Sequence, residues 1–321
     1  MSFMGTWAND FVEYENNVEA INRAAETNPE AFVLRTEDAY HQNIRAIAEE
    51  LSKEVPACRL VMLAGPSSSG KTTTAHLLAD ALRAVGTKAV IISLDDFYRG
   101  EYNAPLLPSG KHDYESVEAL NLPEIQQCLY DLVEKSHCSM PVFNFEIRMP
   151  YPHRRPVSLG EHEIAVVEGL HALNPLLINK MPALRVKKIY ISVKQGVFDG
   201  ARELFGPNDV RLVRRIVRDH RFRGTRPETT LDMWPNVMDG ERKYIKPFRK
   251  DADFTINSLH AYELCVLNRE CAELLHTVPK ASQQFETARK MASGLEHIAS
   301  LDGGLVPKNS ILREFIGGGI Y

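Results

Sequence analysis

The chain has 321 residues, 44% apolar and 25% charged, with a formal net charge of −4. These values suit a soluble globular protein of one large or two small domains, and give no overall reason to expect nucleic acid or an anionic membrane as partner. Five cysteines, odd in number and without C-x-x-C spacing, read as reduced thiols of a cytoplasmic protein. No uninterrupted apolar run of membrane-spanning length is present, and the N-terminus lacks a basic-then-apolar leader.

In chain order, Trp7, Phe11, Tyr14, Val18 and Ile21 recur at spacings of three and four, which predicts an amphipathic helix within residues 1–36. A second helical pattern covers 37–54, so residues 1–55 form an N-terminal helical extension. The core is expected over 56–260. Arg59–Ala64 is a short apolar run of the buried-strand type, and Thr72–Leu82 carries helical spacing. Between them, Gly65-Pro-Ser-Ser-Ser-Gly-Lys-Thr72 fills every fixed position of G-x-x-x-x-G-K-[ST]. Strand, loop and helix then gather backbone N–H groups and the positive end of a helix dipole around one anion. Gly65, Ser67, Ser68, Ser69, Gly70, Lys71, Thr72 and Thr73 are the candidate nucleotide contacts. Lys71 would reach the β- and γ-phosphates, and Thr72 would hold magnesium.

Lys88–Leu94 is a β-branched run expected to neighbour the P-loop strand, and it ends in Asp95-Asp96. A carboxylate there points at the γ-phosphate, where it can take a proton from an attacking hydroxyl and touch the metal. Neighbours on an extended chain point to opposite sides, so one of the pair faces the site. Asp95 is favoured, with Asp96 and a plain capping role as alternatives. Residues 97–160, rich in Pro, Tyr, Arg and His, read as a substrate-binding insertion with one helix near 116–135. Ile164–Gly169 is the next apolar strand and ends in Glu168, a candidate for the magnesium shell or a capping acid. Val186–Val193 and Asp253–Asn257 complete five strands with helical patterns between them. The class is therefore α/β, a doubly wound parallel sheet with ligands beyond the strands' carboxyl ends.

Residues 211–226 hold seven arginines in sixteen positions. Arg211, Arg214, Arg215 and Arg218 fall on one helix face, with Leu212, Val213, Ile216 and Val217 on the other. Beside a P-loop this reads as a phosphate-clamping lid over 206–235, in preference to a solvated basic face or a nucleic-acid patch. Residues 261–321 form a helical segment with a mobile tail at Gly317–Gly319. The pattern of the two flanks leaves open whether they pack on the core or build a homo-oligomer interface.

Together these segments resemble the uridine kinase-like branch of P-loop kinases, which also includes phosphoribulokinase. The likeness rests on the loop at 65–72, Ser93-Leu-Asp-Asp-Phe-Tyr-Arg99, Asp113-Tyr-Glu-Ser-Val-Glu-Ala-Leu120, Pro141-Val-Phe-Asn-Phe145, Val167-Glu-Gly-Leu-His-Ala172 and Arg211–Asp219. It implies transfer of a phosphoryl group from ATP, with Mg2+, to a sugar hydroxyl of a nucleoside or nucleoside-like substrate. Asp95 becomes the base and Thr72 and Glu168 the metal residues, with Asp95 beside them. Arg215, Arg218 and Arg223 are assigned to phosphate and sugar recognition, and Glu115 to the ribose hydroxyls. Tyr98 and His171, inside two of the matching segments, become substrate candidates, although His171 alone, like His112, His153 and His220, reads as structural.

The departures lie at the base pocket. Phe143 and Arg148 stand where uridine kinases place tyrosine and histidine, Met233 replaces a glutamine, and Thr225 an arginine. A site built to bond a polar edge rejects analogues strongly, so these changes bear on the acceptor. A phosphoribulokinase-type reading, with Arg148, Arg154 and Arg155 holding a second phosphate, and a regulatory nucleotide-binding protein are the alternatives. A GTPase is disfavoured because Asn179-Lys-Met-Pro182 lacks the acid of the guanine signature.

Overall fold

The structure, a computed structural model, describes residues 10–100, 103–107, 110 and 112–321. In chain order, α1 (Val18–Thr27) and α2 (Pro29–Glu54) lead to β1 (Leu60–Ala64), the P-loop and α3 (Lys71–Ala84). After β2 (Lys88–Ser93) comes α4 (Leu122–Lys135). Two small antiparallel pairs follow, β3 (His137–Met140) with β6 (Arg155–Ser158) and β4 (Phe143–Asn144) with β5 (Met149–Pro150). Next are β7 (Glu163–Glu168), β8 (Val186–Ser192) and a hairpin of β9 (Val197–Asp199) with β10 (Arg202–Phe205). The chain continues through α5 (Pro207–Arg223), α6 (Pro227–Tyr244), β11 (Phe254–Asn257), α7 (Glu263–His276), α8 (Phe285–Leu295) and α9 (Arg313–Ile316).

The five expected strands form one parallel sheet in the order β11-β8-β1-β7-β2. Side chains alternate across it as the pleat requires. Val61, Leu63, Ile164, Val166, Ile189, Ile191 and Ile256 join a core cluster with α2, α3, α5 and α7, while Leu60, Met62, Ala64, Ala165, Val167 and Tyr190 join a second cluster with α4. One expectation is corrected here. β2 does not pair with β1; β7 lies between them. The exposure pattern explains the order, because β7 is buried almost throughout and β2, starting at exposed Lys88, suits the sheet's edge.

The N-terminal flank also differs from its expectation. Residues 10–17 are not helical: Asn17 bridges to Phe198 and the Phe198 N–H donates to the Asn16 carbonyl. The Asn17 side chain caps α1, and Asn28-Pro29 ends that helix and starts α2, whose N-cap is Asn28. The helix break thus falls at 28, ahead of the expected 36; Trp7 lies outside the described residues. Both flanks pack on the core. Buried Glu37 of α2 accepts from the Tyr262 hydroxyl and faces His260 at 3.6 Å. Burial alone would raise the Glu37 carboxyl, but His260 and the hydroxyls of Ser310 and Tyr262 outweigh it and hold it down at about 2. The tail expected to be mobile is docked instead. The Ile320 N–H donates to the Lys308 carbonyl, and Tyr321 stacks on His76 of α3 with its hydroxyl 2.6 Å from Asp80. No helix among the described residues is long and apolar enough to cross a membrane.

The strongest tie between α5 and the C-terminal flank is the buried pair Arg214–Glu263, with Nε–Oε2 at 2.5 Å and Nη2–Oε1 at 2.9 Å. Glu263→Ala leaves a buried guanidinium without its counter-charge and is expected to lower unfolding stability by about 3–5 kcal/mol in urea titrations. A loss of less than about 1 kcal/mol, the scale of an exposed pair, would show that the charge is solvated.

Candidate active site

The P-loop turns tightly because its glycines permit it. A Cβ at Gly65 would lie 2.5 Å from both the Ile191 carbonyl and Ser69 Oγ, and Gly70 caps α3 in the left-handed region at φ +83°. Lys71 and Thr72 open α3, with Lys71 partly buried and Thr72 exposed; Ser68, Ser69 and Thr73 are buried and Ser67 is partly so.

Three carboxylates converge on Lys71. Asp95 lies in a single 3-10 turn (Leu94–Phe97) whose Ser93 cap accepts from the Asp95 N–H. The acid pair is therefore on a helical turn and not on the extended chain first expected, but the two still diverge. Asp96 accepts from the Phe143 N–H at 3.2 Å and faces Arg155 at 3.7 Å, so it serves the insertion. Burial pushes the Asp95 carboxyl up from its ordinary value, with Lys71 and Arg223 opposing and Asp96 adding to the rise. Glu168, at the end of β7, is buried; its Oε1 accepts from Ser93 Oγ at 2.7 Å and its Oε2 has no hydrogen-bond partner among the described residues. Burial raises it to about 7, Lys71 pulling down and Asp95 pushing up. Glu115, on the insertion, is raised by burial to about 6 against the pull of Arg215, Lys71 and Arg211.

The arginine helix divides its labour in a way its spacing did not show. All of residues 210–219 are buried, so the middle of α5 has no solvated face, while its last turn, 220–223, is exposed. Arg211 donates to the Ser67 carbonyl at 3.0 Å and pairs with Glu241 at 2.7 Å; Arg214 donates to the Ser68 carbonyl at 3.1 Å as well as to Glu263. Both are thus held by the P-loop backbone and by buried carboxylates. Arg215, Arg218 and Arg223 fan around buried Asp219 at 3.2, 2.8 and 3.4 Å, and Arg215 also donates to Ser67 Oγ at 2.7 Å. Arg218 approaches Glu314 of the C-terminal flank at 3.8 Å.

An aromatic wall stands beside Asp95. The Tyr98 ring is 5.8 Å from Phe143 and 6.3 Å from Tyr114, and burial with the charges of Asp95 and Glu115 keeps its hydroxyl protonated. Arg148 sits on the exposed turn joining β4 to β5, at φ +52°. His171 is buried edge-on to Tyr244 and beside the Glu115 backbone; burial holds it near 4, so it is neutral. Neither ring nitrogen makes a hydrogen bond of good geometry among the described residues. Sequence reasoning missed Ser93 as the partner of Glu168, and Glu241 and Glu263 as partners of the arginines. Ser93 and Asp219 each had a signal, lying inside the segment 93–99 and the arginine run.

A P-loop between β1 and α3, carboxylates facing its lysine and an arginine helix behind it define a P-loop kinase. Residues 60–264 match the sequence profile described as Phosphoribulokinase / Uridine kinase family, and the chain belongs to that family. The chain is 28% identical over 203 residues to the uridine kinase of Saccharomyces cerevisiae, covering 62% of this chain and 37% of that one. It is 23% identical to the uridine kinase of Lactobacillus johnsonii, covering 61% and 85% of the two chains. A putative fructose transport system kinase from Silicibacter sp. TM1040 superposes with a TM-score of 0.49 at 20% identity, over 66% of this chain and 98% of that one.

The raised carboxyls carry a stability prediction. Glu168 and Glu115 sit above the ordinary 4.5, at about 7 and about 6. Folding therefore favours their protonated forms, and their contribution is fullest below pH 4.5 and lost as pH rises through 6 to 7. Glu168→Gln removes the larger shift. It is expected to raise the melting temperature of the ligand-free protein at pH 8 while lowering turnover, and to narrow the gap between pH 8 and pH 6. A variant less stable than wild type at pH 8 would contradict the assigned direction.

Proposed function

We propose that the protein transfers the γ-phosphoryl group of ATP to a hydroxyl of a nucleoside or nucleoside-like acceptor. The observation that carries this reading is the convergence of Asp95, Glu168 and Glu115 on the P-loop lysine, each feeling the charge of Lys71. In-line phosphoryl transfer needs positioning, a proton acceptor and charge neutralisation more than covalent help.

Each need has a candidate. The P-loop N–H groups and Lys71 hold the β- and γ-phosphates. Asp95, lifted by burial yet kept reactive by Lys71, accepts the proton of the attacking hydroxyl at its carboxylate. Arg215, Arg218 and Arg223 supply positive charge over the transferring group, and must exchange part of their hold on Asp219 to do so. Glu115 accepts from acceptor hydroxyls, and Tyr98 with Phe143 offers rings for a base to pack against. Neutral His171 stands behind Glu115 with donor and acceptor nitrogens.

Magnesium fits the residues present. The orphan Oε2 of Glu168 is a buried anionic oxygen beside Lys71, and Thr72 offers a hydroxyl on the first turn of α3. These two, with Asp95, would hold the ion, which when bound neutralises phosphate charge.

Two of the three arginines weighed for a second acceptor phosphate already have acidic neighbours. Arg154 is committed to Glu124 at 2.5 Å and to the Ser139 carbonyl, and Arg155 leans on Asp96.

Magnesium-dependent ATP consumption across nucleosides, deoxynucleosides, pentose phosphates and polyols tests the reading. One strong nucleoside acceptor is expected. Asp95→Asn should lower kcat by about two orders of magnitude or more while sparing ATP affinity. ATP binding with no acceptor-stimulated turnover would favour a regulatory protein, and preference for a pentose phosphate would favour the phosphoribulokinase-type reaction. Phe143→Tyr with Arg148→His is expected to shift preference toward uridine; no gain would show that the base sits elsewhere.

A further inference from the structure

The P-loop is gripped from behind, at its carbonyls. The Ser67 carbonyl accepts from Arg211 Nε at 3.0 Å and the Ser68 carbonyl from Arg214 Nη1 at 3.1 Å. The Gly70 carbonyl accepts twice from Thr74, from its N–H at 3.0 Å and from Oγ1 at 2.7 Å. Thr74 Oγ1 has one proton and spends it on Gly70, so the 2.6 Å contact with the Tyr40 hydroxyl has Tyr40 as donor. Tyr40, fully buried, thus feeds a two-bond relay that ends on the P-loop.

A peptide unit is planar, and its C=O and N–H point in opposite directions. Fixing the carbonyl of residue i therefore fixes the N–H of residue i+1. The grip on Ser67 sets the Ser68 N–H, and the grip on Gly70 sets the N–H of Lys71. The Ser68 peptide lies within a turn whose Ser69 N–H reaches the Pro66 carbonyl at 3.2 Å, and Arg214 holds that turn in place. A loop that binds phosphate through backbone N–H groups gains affinity when those groups are already aimed.

We infer that Arg211 and the Tyr40–Thr74 relay are positioning residues that aim P-loop N–H groups at the nucleotide's phosphates, with Arg214 bracing the turn between them, and that through Tyr40 the N-terminal flank sets nucleotide affinity. Tyr40 lies in α2, outside the 60–264 match to the family, so this part of the device belongs to the flank. Ile311, from the other flank, packs against Gly70 and would lie 3.0 Å from a Cβ there. A Thr side chain bonding back to the carbonyl four residues earlier is common in helices. What singles this one out is the second, buried donor behind it and the P-loop position of the acceptor.

The inference rests on nucleotide binding at the P-loop, so wild type and Lys71→Ala are measured first for ATP binding. Tyr40→Phe removes one hydroxyl and no volume of consequence; Thr74→Val removes the next link, and Thr74→Ser keeps it. Tyr40→Phe and Thr74→Val are each expected to raise KM for ATP about three- to tenfold, the scale of one buried hydrogen bond. The acceptor KM, and kcat at saturating ATP, should stay within about twofold by the same reasoning. Thr74→Ser should match wild type, and the double variant Tyr40→Phe/Thr74→Val should be no worse than Thr74→Val, because Tyr40 acts through Thr74. An unchanged ATP KM in Tyr40→Phe, even with a lowered melting temperature, would overturn the inference and leave a structural contact only. Additive losses in the double variant would also overturn it. A wild type that bound no ATP would remove the functional reading and the inference together.

Discussion

Arg214 is the residue on which the rest of the structure depends. Its guanidinium is wholly buried, and its donors are taken by both oxygens of Glu263, the Ser68 carbonyl, and Ser258 through Oγ and the carbonyl. A buried cation is tolerated only when its counter-charge and nearly all its hydrogen bonds are in place. The P-loop, the end of β11 and the start of α7 must therefore meet at one point before the pair is stable. That requirement couples the C-terminal flank to the phosphate-binding loop without any contact to ligand.

The cleft in front of that point is built against its own ease. Asp95, Glu168 and Glu115 are all raised by burial, and Lys71 only partly offsets the cost. On α5, buried Asp219 gathers three arginines, two of which also pull on these acids, Arg215 on Glu115 and Arg223 on Asp95. Charge of both signs is thus buried around one lysine, at a cost that pairing only partly offsets. A site arranged this way gives up stability when empty and regains it when filled. Glu37 shows the contrasting case. It is also buried, but the charge of His260 and the hydroxyls of Ser310 and Tyr262 outweigh burial and drive its carboxyl down, as suits a structural acid.

Much of this protein was legible in its residues. Five apolar runs became five parallel strands, the P-loop lies between strand and helix as its pattern required, and Asp95 after β2 and Glu168 at the end of β7 both feel Lys71. Local chemistry was enough there, because chain neighbours set strand, turn and cap. Local pattern could not place β2 at the edge of the sheet, since strand order follows from how each strand's burial is shared with distant partners. Nor could it show that residues 10–17 would run without helix, with Asn16 and Asn17 meeting Phe198, or that the glycine-rich tail would dock.

The arginine helix marks the boundary most clearly. By itself the sequence determined that α5 would carry a row of guanidinium groups beside a phosphate site. Only the tertiary structure decided which of them are tied to the P-loop carbonyls and to distant carboxylates. Arg211 and Arg214 differ from Arg215 and Arg218 in nothing local; they differ in meeting Glu241 and Glu263, carboxylates 30 and 49 residues away, together with the carbonyls of the P-loop. A buried charge is assigned by the partners that desolvation forces upon it, and those partners come from the fold.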